Sequence, residues 1–142
     1  MTARQRVYVD ACVLIKAASA AEEDVATRAL QELDREGVTY LFSTVVEHEV
    51  LPQPILNERD DEVLFFKAFF DEAERVPCNG EQQEVAFQMR LESRGLSLVD
   101  AFHLSAASAA GANEFVTAEK SSKPMVAAPP SQVGAMKVRT IA

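Results

Sequence analysis

Four carboxylates stand where a charge is costly. Asp10 is the only charged residue between Val7 and Ile15, and Asp100 is the only one between Gly95 and Asn113. On a helical wheel at about 100° per residue, Glu49 falls between Val45 and Val46, on an apolar face. Glu119 comes two residues after the stretch Phe115-Val116-Thr117. An unpaired buried carboxylate costs several kcal/mol, so such acids need a proton, a helix N-terminus or a cation. Gathered together, they would also repel: two unit charges ~4 Å apart cost roughly 4 kcal/mol at an effective dielectric of 20. Divalent cations would hold the cluster, and all-oxygen ligation favours Mg²⁺ or Mn²⁺ over zinc. A bound Mg²⁺ lowers the pKa of a water and neutralises charge on a phosphoryl oxygen. The natural chemistry is hydrolysis of a phosphodiester.

Plainer roles compete. Asp10 could cap a strand-to-helix turn, Asp100 could cap its helix with Ser97, and Glu119 could pair with Lys120 in a loop. Glu47 needs no functional role, because it is the third residue after Thr44, where a capping box places its glutamate. Only two histidines exist, His48 and His103. His103 can share the helix face of Asp100, but a zinc site on that pair would lack ligands, so a surface or lining role is expected. No Gly-rich phosphate loop and no G-x-S-x-G elbow occurs.

The elements that must position these acids follow from periodicity. Residues 7–15, VYVDACVLI, read as a strand buried on both faces, as in a parallel sheet. A helix is expected from Glu22 to Glu36, stopped by Gly37. Residues 38–43 read as a second strand, then a short helix capped by Thr44 and closed by Pro52 and Pro54. Asp60 or Asp61 starts the next helix, which carries four phenylalanines and offers a dimer surface as the alternative to core packing. Glu81–Arg94 and the segment after Ser97 read as further helices. Residues 114–117 read as a strand, 120–136 as a loop and 137–141 as the last strand. This alternation implies an α/β fold with a largely parallel sheet, whose sites form beyond the carboxyl ends of the strands.

Length and charge set the remaining bounds. The 142 residues suit one domain, 1–142. No apolar run reaches the ~20 residues that span a bilayer, and no clean signal cleavage site follows the N-terminal apolar run. Two cysteines are too few for a disulfide framework, and a soluble cytoplasmic protein is expected. The net charge of −8 argues against coating nucleic acid by bulk charge. That charge is uneven: residues 22–75 carry −10, whereas 115–142 carry +3 through Lys120, Lys123, Lys137 and Arg139 against Glu119. The basic end could guide a phosphate backbone, as could the arginines near 90–94.

Taken in order, VYVDACVLI, EVLP, GLSLVDAFHLSAA and GANEFVTAEK resemble the PIN-domain family, metal-dependent ribonucleases common as the toxins of VapBC-type modules. The resemblance covers nearly the whole chain. It implies a three-layer α/β/α sandwich and an acidic pocket binding Mg²⁺ or Mn²⁺. In that pattern Asp10, Glu49 and Asp100 match the first three acids, and Glu119 stands where aspartate is usual. Thr117 matches a polar position that supports the pocket. Ala11 and Cys12 replace the Thr or Ser, then Asn, that commonly follow the first aspartate. An RNA substrate, a small protein antitoxin and a homodimer are also implied. The alternative is a PIN-like module whose pocket has decayed and which acts through protein contacts.

Overall fold

The computed structural model describes residues 4–19 and 23–142, with Glu23 described through its backbone alone. Five strands form one parallel sheet: β1 (Gln5–Val9), β2 (Val38–Phe42), β3 (Glu74–Arg75), β4 (Glu114–Thr117) and β5 (Lys137–Thr140). Their order across the sheet is β3-β2-β1-β4-β5. Helices cover both sides, as expected for the α/β/α sandwich. Val7, Tyr8 and Val9 are fully buried, which is what a strand covered on both faces requires. The order reverses beside β1, with β2 on one side and β4 on the other. Such a reversal opens a crevice at the carboxyl edge of the sheet.

The first strand is shorter than expected. It ends at Val9, and residues 11–15 belong to helix α1 (Ala11–Ala18). An apolar run without polar punctuation fits a buried strand or a buried helix equally, and tertiary packing decides. The change places Asp10 in the turn between the two. Helix α2 (Glu23–Glu32) ends four residues before Glu36; Glu22, its expected first residue, lies outside the described residues.

Helix α3 (Thr44–Val50) begins one residue earlier than the capping box predicts. Ser43 occupies the N-cap, but its buried hydroxyl bonds Tyr8 (2.9 Å) instead of the helix. Glu47 pairs with Arg75 on β3 at 2.6 Å, so its role is structural by a different route. Pro52 and Pro54 do not simply end α3; Pro52 opens a further turn, α4 (Pro52–Leu56), where its missing N–H costs nothing. Helix α5 (Asp60–Glu72) follows Arg59, with Asp60 and Asp61 in its first turn rather than at the cap. Phe66 is its buried residue, whereas Leu64 is exposed.

Asn79 and Gln82 form the capping box that starts α6 (Gly80–Glu92). Ser97 caps α7 (Leu98–Ala109), accepting the Asp100 N–H at 3.1 Å, as expected. The segment 120–136 contains a short helix, α8 (Pro124–Ala127), and a 3-10 turn (Ser131–Val133), not loop alone. Among the described residues no helix is long and apolar enough to cross a membrane.

Candidate metal centre

Asp10 sits at the end of the central strand, where its N–H continues the ladder to Val116 O (3.0 Å). It occupies the N-cap position of α1 but makes no side-chain cap bond. Its carboxylate turns instead toward the crevice. Thr117, the last residue of β4, donates its hydroxyl to Asp10 Oδ2 (2.8 Å), and Cys12 Sγ donates to the same oxygen (3.3 Å). Asp10 is 5% exposed and Thr117 is fully buried, so these bonds fix Oδ2 in a dry wall. Oδ1 lies on the open side, 3.7 Å from His103 Nε2.

Three further acids arrive from separate elements. Glu49 comes from the last turn of α3 and bonds His103 Nε2. The oxygens of Asp10 and Glu49 and a ring nitrogen of His103 all lie within 4.8 Å of one another, close enough to share an ion. Asp100 projects from the first turn of α7. Burial pushes its carboxyl above the ordinary range, as do the negative charges of Asp10 and Glu119; the Ser97 hydroxyl and His103 pull the other way. Glu119 is placed by its own backbone. Its N–H donates to Thr117 Oγ1 (3.1 Å), and its carbonyl accepts from Thr140. No ion pair joins it to Lys120 among the described residues, so the loop pairing considered for Glu119 is not formed.

The donor set fits a hard divalent cation. Asp100 feels the negative charges of both Asp10 and Glu119. A cation would relieve that repulsion.

Two expectations change. His103 is not a surface residue: it is fully buried, with Nδ1 on Tyr8 Oη (2.8 Å) and Nε2 on Glu49. Burial opposes its charged form, but the Glu49 bond and the charges of Asp10, Glu49 and Asp100 outweigh this and raise its pKa. Arg139 does not belong to a free basic edge, because Glu32 and Glu114 hold it. Arg90 is also engaged, with Nε on Leu96 O (3.1 Å). Lys120 and Lys123 remain exposed near Glu119 in sequence.

The PIN-domain family model matches residues 7–122. The chain belongs to the PIN-domain family. Solved structures share its fold. The VapBC2 structure from Rickettsia felis, bound to a promoter DNA fragment, superposes with a TM-score of 0.65 at 12% identity, covering 97% of this chain and 100% of that one. DNA-bound VapBC from Salmonella typhimurium gives 0.64 at 13% identity, over 96% of this chain and 98% of that one. Mycobacterium tuberculosis VapC20, a sarcin-ricin loop cleaving toxin, gives 0.60 at 17% identity, over 77% and 86%. Comparison with curated proteins returns no match.

Within this PIN domain, Tyr8 and Ser43 are the residues behind the site that sequence reasoning missed, and His103, expected at the surface or lining the site, proves to be buried beside it. One signal was present: a histidine in a helix otherwise apolar on nearly every side must find polar partners inside the fold.

Proposed function

We propose that this PIN-domain protein is an Mg²⁺- or Mn²⁺-dependent endoribonuclease and the toxin of a type II toxin–antitoxin module. The observation that supports the reading is the meeting of Asp10 and Glu49 with His103, within 4.8 Å of one another, with Asp100 close enough to feel the charges of Asp10 and Glu119. These four acids would hold the ion or ions. When bound, the ion supplies Lewis-acid stabilisation of charge on a phosphoryl oxygen and lowers the pKa of a water. Thr117 and Cys12 hold one oxygen of Asp10 so that the other faces the pocket. Lys120 and Lys123, exposed and adjoining Glu119 in the chain, are cations suited to a phosphate backbone.

A toxin role draws on the fold neighbours, two of which are VapBC complexes on DNA. The partner is accordingly a small protein antitoxin, and a homodimer is the expected assembly. The alternative of a decayed pocket draws on the Ala11-Cys12 pair and the net charge; against it, the Cys12 thiol still supports Asp10 with a hydrogen bond.

The test mixes the purified protein with RNA and Mn²⁺ beside an Asp100→Asn control. Metal-dependent cleavage that the substitution abolishes is expected. Intact RNA across several substrates, with no Mn²⁺-induced rise in melting temperature, would sink the enzyme reading.

A further inference from the structure

His103 is a fully buried polar side chain beside the pocket, and both of its ring nitrogens are used. The carboxylate of Glu49 accepts, so Nε2 carries the proton. In the neutral ring Nδ1 then accepts, and Tyr8 donates its phenol hydrogen to it across 2.8 Å. Tyr8 Oη in turn accepts from Ser43 Oγ at 2.9 Å. Tyr8 and Ser43 are fully buried, so among the described residues their hydroxyls have only one another and His103 to bond. The chain Ser43, Tyr8, His103, Glu49 therefore runs in one direction, from the end of β2 to the rim of the pocket.

Glu49 depends on that chain. Its side chain is 36% exposed, and His103 is its sole bonded partner among the described residues. A glutamate free at a pocket rim keeps several rotamers, and ordering it costs conformational entropy. A buried imidazole, itself oriented by a phenol, removes that cost before an ion arrives.

We propose that His103 is a positioning residue that holds Glu49 across the pocket from Asp10, with its tautomer set by Tyr8 and Ser43. The proposal deepens the metal-dependent reading of the same site and rests on it. It also accounts for a polar relay through an otherwise apolar core, where three aliphatic residues would have packed with no polar group to satisfy.

Two measurements test it. In the metal-free protein, nitrogen-detected NMR should show His103 protonated at Nε2, with that proton shifted far downfield and moved by Glu49→Ala. Titration with Mn²⁺, followed by the electron paramagnetic resonance of the free ion, should show about 10- to 100-fold weaker binding in His103→Leu. His103→Gln, which keeps an N–H within reach of Glu49, should recover most of the loss. Tyr8→Phe should weaken binding in the same direction by less, and covers the case in which His103→Leu does not fold. In a Glu49→Gln background His103→Leu should have no further effect, whereas a merely structural histidine would weaken binding equally in both backgrounds. Unchanged Mn²⁺ affinity in folded His103→Leu, or additivity with Glu49→Gln, would overturn the positioning role. Failure of the wild-type protein to bind Mn²⁺ would overturn the metal reading instead, and leave the Nε2 proton to decide whether the relay exists.

Discussion

Arg139, on the edge strand β5, closes on Glu32 at the end of α2, 107 residues earlier in the chain. Arg35 binds the same carboxylate at 2.8 Å and reaches Glu114 at 3.1 Å. The cluster ties the last strand and α2 to the start of β4, away from the acidic pocket. It also removes Arg139 from the cations available to a nucleic acid.

Glu32 should therefore make the fold acid-sensitive. Burial opposes its ionised form, but Arg139 and Arg35 outweigh burial and hold its pKa below the ordinary 4.5. A carboxyl whose folded pKa is depressed stabilises the fold above its unfolded pKa. That contribution fades as pH falls through the folded value. Glu32→Gln should cost about 1–3 kcal/mol in urea unfolding at pH 7. The gap between variant and wild type should shrink below pH 4.5; a constant gap would refute the assignment.

What the sequence made legible was local or energetic. Ser97 before an apolar helix announced its cap, and the four-residue strand β4 stood out between Gly111 and a polar segment. Asp10 and Asp100 were conspicuous because a lone charge in apolar surroundings demands a reason. What remained hidden was tertiary. The Tyr8–His103 bond joins residues 95 apart, and neither residue advertises the other. Residues 11–15 continued the apolar pattern of the strand past Asp10, so nothing local separated strand from helix. Strand β3 is two residues long, too short to leave a period. The capping box at Thr44 failed because an adjacent serine took the N-cap, leaving Glu47 to Arg75.

Asp100 should behave oppositely to Glu32. Its folded pKa is raised by burial and by Asp10 and Glu119, so its ionisation destabilises the metal-free fold as pH rises past the unfolded value. Asp100→Asn should accordingly melt at or above the wild-type temperature without metal. Excess Mn²⁺ at about 100 times its dissociation constant adds roughly 2.7 kcal/mol to the wild type. Differential scanning calorimetry with Mn²⁺ and then EDTA should show that rise and its reversal in the wild type, and a much smaller rise in the variant.

Thr117 joins two of the acids. Its hydroxyl donates to Asp10 and accepts the Glu119 N–H, so one group sets the separation of both. Thr117→Val keeps the shape and removes both bonds. It should lower stability by about 1–2 kcal/mol and weaken Mn²⁺ binding by about 10-fold or more. Thr117→Ser should restore both properties, measured by urea unfolding and isothermal titration. Unchanged metal affinity in Thr117→Val would show that Asp10 holds its position without help.

Cys12 occupies a position where a thiolate would sit beside Asp10, and the fold discourages it. Burial pushes the thiol up to about 12, and the charge of Asp10 adds to the effect, against the bonds from Thr117 and the Ala118 N–H. At pH 8 about one thiol in ten thousand would be ionised, and the thiolate is the reactive form. Iodoacetamide at pH 8 should therefore leave Cys12 unmodified in the native protein and label it promptly in 6 M guanidinium, as read by peptide mass spectrometry. The same protection explains how a cysteine persists at the edge of the pocket. Its sulfur serves as a neutral donor to Asp10 Oδ2 and as an acceptor for the Ala118 N–H at 3.1 Å. Cys12→Ala would remove both contacts and expose the Ala118 N–H to an unsatisfied pocket wall, at a cost of about 1–3 kcal/mol. Rapid labelling of the native protein at pH 8 would mean that the wall around Cys12 opens readily.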